Sequence, residues 1–209
     1  MQRHLPRRLA VAGATAICAA LLTACGGAAT EHGGGARHGT ATAQTLSAAP
    51  PDAAFNDVDV RFSTDMIPHH RQALEMARIA RARATHPEVR ALAERIEKAQ
   101  DPEINIMSEW LRDWGHPVPS AAPGAGHGAH AGMPGMMTDA EMRALMTASG
   151  SDFDRMFLHM MIRHHEGAVT MATTAAQQGK HPQATQLAGK IAADQAAEVR
   201  QMRDLLARL

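Results

Sequence analysis

Thiols are almost missing from this chain. The only cysteines, Cys18 and Cys25, stand near the start of 209 residues, so the rest has no disulfide framework and no thiolate ligand. Net charge is also absent, since 21 basic residues balance 21 acidic ones, and without a basic footprint nucleic acid is excluded as a partner. Aromatic residues amount to 3%, with no tyrosine. Alanine and methionine are abundant instead: alanine faces let helices approach closely, and methionine fills irregular gaps. A long apolar run is missing too, because Leu9 to Leu22 is too short to cross a membrane as an ordinary helix.

That short run has its own reading. It follows the basic segment Met1 to Arg8 and leads into Leu22-Thr23-Ala24-Cys25, the pattern of a bacterial lipoprotein signal. Residues 1–24 are then a removed signal and Cys25 a lipidated N-terminus that tethers the protein to a membrane outside the cytosol; a plain secretory signal with a chance cysteine is the alternative. Residues 25–54, rich in Gly, Ala and Thr, cannot bury enough apolar surface to fold and read as a disordered tether. Residues 55–209 suit one domain with one core.

The domain repeats itself without a gap. Met66, Ile67, His69, His70, Ala73, Met76, Ala77 and Ala80 return ninety-five positions later as Met161, Ile162, His164, His165, Ala168, Met171, Ala172 and Ala175. His86-Pro87 returns as His181-Pro182, and Leu92, Ile96, Gln100, Glu103, Met107 and Leu111 return as Leu187, Ile191, Gln195, Glu198, Met202 and Leu206. Repeat one spans 57–114 and repeat two 151–209; between them, 115–150 holds a Pro, Gly and His-rich loop and a short helix opening at Thr138 with Glu141 completing a capping box. Helical periodicity on both sides of each His-Pro connection predicts two antiparallel hairpins, hence an all-α four-helix bundle. Gly179 is the expected C-cap of the third bundle helix. Pro68 removes one helical hydrogen bond and predicts a kink before the first His pair.

The polar residues kept in both repeats lie on apolar stripes. At a hundred degrees per residue, Met66, His69, His70, Ala73, Ala77 and Ala80 share one face, as do their counterparts around Met161, His164 and His165. Glu103 and Met107, with Glu198 and Met202, lie on the core stripes of the other two helices. A carboxylate there is costly unless it is paired or coordinates a cation. Neighbouring histidines point a hundred degrees apart, so one of each pair ligates while the other meets an interface or donates to Glu103 or Glu198. His159, Met160 and Glu166 fall off the arc. With no thiol, a metal is held by His, Met and carboxylate; imidazole suits copper, zinc and iron, whereas thioether favours Cu(I), so copper comes first. The loop adds His116, His127, His130, Met133, Met136 and Met137. Methionine at helical spacing is equally a core filler, and a metal-free His-Glu network satisfies the same stripes. A ferritin-like di-metal oxidase is a further reading, but such sites use four carboxylates and two Glu-x-x-His motifs, which these stripes lack.

The segments Asp57 to Phe62, Asp65-Met-Ile-Pro-His-His and His164-His165-Glu-Gly-Ala-Val-Thr-Met-Ala carry a likeness. Over about Asp57 to Leu209 the chain resembles the domain of unknown function 305 (DUF305) family, exported ferritin-like four-helix proteins of which some are periplasmic copper-binding proteins. The resemblance implies copper binding through His69, His70, His164, His165, Met66 and Met161. Together these readings describe an extracytoplasmic copper-binding lipoprotein that sequesters or buffers Cu(I).

Overall fold

A computed structural model describes residues 54–120 and 132–209. The expected signal, Cys25 and the expected tether to residue 53 lie outside the described residues, as do His127 and His130. Five helices follow one another: α1 Asp57–Arg83, α2 Pro87–Asp113, α3 Asp139–Thr147, α4 Gly150–Gln178 and α5 Pro182–Leu206. No strand occurs among the described residues, and no helix there is long and apolar enough to cross a membrane.

Helix ends follow from local chemistry. Asn56 opens α1 with a capping box: its side chain accepts from the Val58 and Asp59 amides, and Asp59 accepts back from the Asn56 amide. Thr138 and Glu141 open α3 in the same way, as expected. Proline stands in the first turn of both α2 and α5, where its missing N–H is not needed. Helix α1 runs unbroken through Pro68. Gly179 is the C-cap of α4, but at φ −67°, a backbone open to any residue. Glycine is required there by space, since a Cβ would lie 2.5 Å from Asp59 Oδ1.

Each hairpin packs on itself, α1 with α2 and α4 with α5, and the two join mainly through α1 against α4. Aspartates ninety-five residues apart lock this join reciprocally. Asp154 of α4 accepts from the Thr85 amide at 3.1 Å, the His86 amide at 2.9 Å and the Thr85 hydroxyl, at the turn of the first hairpin. Asp59 of α1 accepts from the Lys180 and His181 amides at 2.9 and 3.0 Å, at the turn of the second. Both aspartates are about 1% exposed; backbone N–H groups held by a charged acceptor repay that burial.

The core is divided. One apolar cluster joins the C-terminal half of α1 (Ala73, Met76, Ala77, Ala80) to the N-terminal half of α4 (Phe153, Phe157, Leu158, Met161) and includes Met202. The other joins the N-terminal half of α1 (Phe62, Met66, Ile67) to the C-terminal half of α4 (Ala168, Ala172, Ala175) and includes Met107. Antiparallel helices of similar length place their midpoints together, and the midpoints of α1 and α4 are the two His pairs. Trp110 and Trp114 cover one end, stacked at 6.0 Å between centroids, with Phe55 on Trp114 at 4.8 Å. Short α3 adds a second layer over α4. It explains why Met160, off the central arc, is nevertheless buried in the same cluster as Met142 and Leu145.

Candidate metal centre

His69, His70, His164 and His165 are each 0% exposed, between the two apolar clusters. The rings of His69 and His164 approach to 3.8 Å between centroids, so the first histidine of each repeat meets its counterpart. The second turns toward its own hairpin: His70 Nε2 lies 2.9 Å from Glu103 Oε2, and His165 Nε2 2.7 Å from Glu198 Oε2. Lys190 Nζ stands 3.8 Å from Glu103 Oε1.

These contacts decide which nitrogen of each ring carries the proton. A carboxylate accepts, so His70 and His165 donate through Nε2, and Nδ1 is the nitrogen turned away from the glutamate. His69 Nε2 lies 3.0 Å from the Pro134 carbonyl, another acceptor, and is fixed in the same sense. Among the described residues, Nδ1 of His69, His70 and His165 and both nitrogens of His164 have no hydrogen-bond partner. Burial pushes the His69 imidazole down to about 3, the His70 ring adding to the effect and the Pro134 carbonyl opposing it. His164 is also pushed well below its ordinary value, by burial first and then by the rings of His69, His165 and His70, with the His69 backbone opposing. Both are neutral at neutral pH, with lone pairs free of protons.

Met66, Met107, Met161 and Met202 are all 0% exposed. They do not share one space: Met66 and Met107 belong to one apolar cluster, Met161 and Met202 to the other. Glu103 is 7% exposed and Glu198 half-buried. The ten residues picked out by the stripes thus form two repeat-related halves, Met66-His70-Glu103-Met107 and Met161-His165-Glu198-Met202, meeting at His69 and His164. Among the described residues no three His, Asp or Glu side chains gather closely enough to hold a metal ion by themselves. His159 and Glu166 are exposed, and Glu166 pairs with Arg203 at the surface.

The inter-repeat loop contributes what periodicity could not indicate. A strap, Met133–Met137, crosses the α1/α4 side of the His layer. Gln72 clamps it: Nε2 donates to the Met137 carbonyl at 2.9 Å, and Oε1 accepts from the Met137 amide at 2.7 Å. Gly135, at φ +80°, lies so close to α4 that a Cβ would meet the Arg163 carbonyl at 2.5 Å, and a Cβ on Gly167 would meet the Pro134 carbonyl at 2.0 Å. Arg163 reaches Met137 Sδ and Glu141. Met137 is buried, Met133 and Met136 half-buried, and His116 exposed against Phe55. Gln72 and Gly167 are repeat equivalents, as are Pro68 and Arg163, so Gln72, Gly167 and Arg163, which hold the strap, stand where the copies diverge, while His69, kept in both copies, also meets it. That divergence is the signal by which the strap was detectable.

Residues 59–206 match the family described as domain of unknown function (DUF305). Among solved structures, the chain is similar to a DUF305 protein from Streptomyces coelicolor described as secreted, at 38% identity and TM-score 0.65, over 72% of this chain and 91% of that one. It is similar to a DUF305 fragment from Deinococcus radiodurans at 34% identity and TM-score 0.65, over 74% and 98%. It is also similar to CopM in its Cu(I)-bound form, at 34% identity and TM-score 0.60, over 72% and 96%. CopM is known in Cu(II)-bound and Ag-bound forms as well. Among curated proteins none matches.

Proposed function

The chain belongs to the DUF305 family, and within it we propose that this member is an extracytoplasmic copper-binding protein, taking copper as Cu(I) and sequestering or buffering it. The observation that carries this is the set of fully buried imidazoles whose Nε2 atoms are tied to Glu103, Glu198 and Pro134 while their Nδ1 atoms stay without a partner among the described residues. Uncompensated buried nitrogens are costly, and orientation of a ligating ring through its second nitrogen is what metal-binding histidines require. Met66 and Met161 stand one helical turn from His70 and His165. Imidazole with thioether selects soft Cu(I) over oxygen-seeking cations. In support, a relative with a third of its residues in common is known with copper and with silver bound. Cys25 as a lipidated N-terminus would hold the protein at a membrane surface.

One observation favours a second reading, a metal-free His-Glu network: no three His, Asp or Glu side chains converge among the described residues. The di-metal oxidase has less support, since Glu103 and Glu198 are the carboxylates at the His layer and each already holds a histidine. Titration of the purified chain with Cu(I) against a competing chelator separates these. Binding is expected, and His70→Ala with His165→Ala is expected to weaken it by about tenfold or more, as loss of ligands or of their supporting partners does. No uptake by the unaltered chain, with metal-free protein recovered from the native host, would establish the network reading instead.

A further inference from the structure

The four imidazoles are sealed from solvent, so an ion needs a way in. The α1/α4 side is shut by the strap, with the Gln72 clamp and the Gly135–Gly167 approach. The opposite side, between α2 and α5, is built differently: these helices touch far less than α1 with α2, α4 with α5 or α1 with α4. Their cross-links are Arg95 with Gln201 at 2.9 Å and Glu103 with Lys190 at 3.8 Å, while Glu88 of α2 holds Arg208, just past the end of α5, at 2.6 Å. That antiparallel register brings Gln100 level with Gln195, its repeat counterpart.

Gln100 and Gln195 are 2% and 4% exposed. Both side-chain atoms of the Gln100 carboxamide and the oxygen of Gln195 lack a partner among the described residues. A buried polar group without a partner is costly, so a pair of them at one level of the seam marks a place for a polar ligand rather than for apolar packing. Glu103 and Glu198 lie three residues on along the same helix faces. Side-chain exposure rises outward, from 10% at Glu103 through 21% at Glu198 to 32% at Lys190, while inward the same carboxylates touch His70 and His165.

We propose that the α2/α5 seam is the entrance to the site: Gln100, Gln195, Glu103 and Glu198 form an oxygen-donor transfer site for an incoming metal cation, and Lys190 guards it. This rests on the copper reading. Oxygen donors hold a soft ion loosely compared with imidazole and thioether, which suits passage inward. The Lys190 ammonium compensates the carboxylates in the ion's absence and repels the approaching cation.

The test is the rate of Cu(I) transfer from a coloured chelator to the full chain, followed at the chelator's absorbance, with final stoichiometry read separately. Gln100→Leu with Gln195→Leu, which closes the seam with apolar bulk, is expected to slow uptake about tenfold, and Lys190→Gln to speed it by a few-fold, since focused charge alters on-rates by such factors. Final stoichiometry stays unchanged in both. Should the leucine pair fail to fold, Gln100→Ala with Gln195→Ala removes the oxygens without bulk and is likewise expected to slow uptake. Opening the strap with Gln72→Ala is expected to leave the rate alone. Unaltered rates in the seam variants, or faster uptake in Gln72→Ala alone, overturn the proposal while leaving copper binding intact; absence of uptake by the unaltered chain ends both.

Discussion

His69 and His70 are neighbours in the chain and face different partners. One rests against His164 and the Pro134 carbonyl, the other donates to Glu103. The pairs and their kept glutamates were legible from the duplication, as was the division of labour, because adjacent helical residues point a hundred degrees apart. Which histidine takes which role was not legible, since it depends on what the other helices and the loop bring to each ring. A pH dependence belongs to this scale. The His69 pKa falls from an ordinary 6.5 to about 3 on folding, and that of His164 falls well below 6.5. The unfolded chain therefore binds protons that the folded one refuses, and stability, full above pH 6.5, declines as pH drops through the window toward 3. At His69 the shift is worth on the order of a few kcal/mol once that window is crossed. Urea unfolding at pH 7, 5.5 and 4.5 is expected to show a falling midpoint before the carboxylates titrate. A flat profile would mean the rings are not buried as described.

Among the helices, the decisive residues are Asp59 and Asp154, each capping the other repeat's hairpin turn. Both recur at the repeat spacing, so a trace was present in the sequence. In isolation, though, an acidic residue near the start of a helix reads as a partner of the helix dipole, and amides more than sixty residues away cannot be seen from it. Asp154→Ala leaves the Thr85 and His86 amides without their acceptor and is expected to cost about 2–4 kcal/mol, as charged hydrogen bonds with buried donors do. Glu166→Ala, which breaks an exposed pair with Arg203, is expected to cost under about 1 kcal/mol. Urea midpoints of the two variants measure the contrast; equal effects would show that the cross-repeat clamp contributes little.

At the scale of the whole molecule, two apolar clusters flank one polar layer, and the clusters hold the bundle together whether or not a metal is bound. Cu(I) at a hundred times its Kd is accordingly expected to add about 2.7 kcal/mol of stability by mass action, and a strong chelator to return the protein to a folded apo state. Thermal unfolding with and without each additive checks this, and unfolding by the chelator alone would contradict it. The amino-acid sequence alone determined the helices, the pairing into hairpins and the burial of the stripes that recur in both repeats, because periodicity and duplication are local or self-referential signals carried along one chain. Tertiary structure decided what meets what: the 3.8 Å approach of His69 to His164, the separation of the methionines into two clusters, the strap over the layer and the seam opposite it. Those depend on how antiparallel helices register across a repeat interface and on where an aperiodic loop settles, and only packing of the assembled chain sets either.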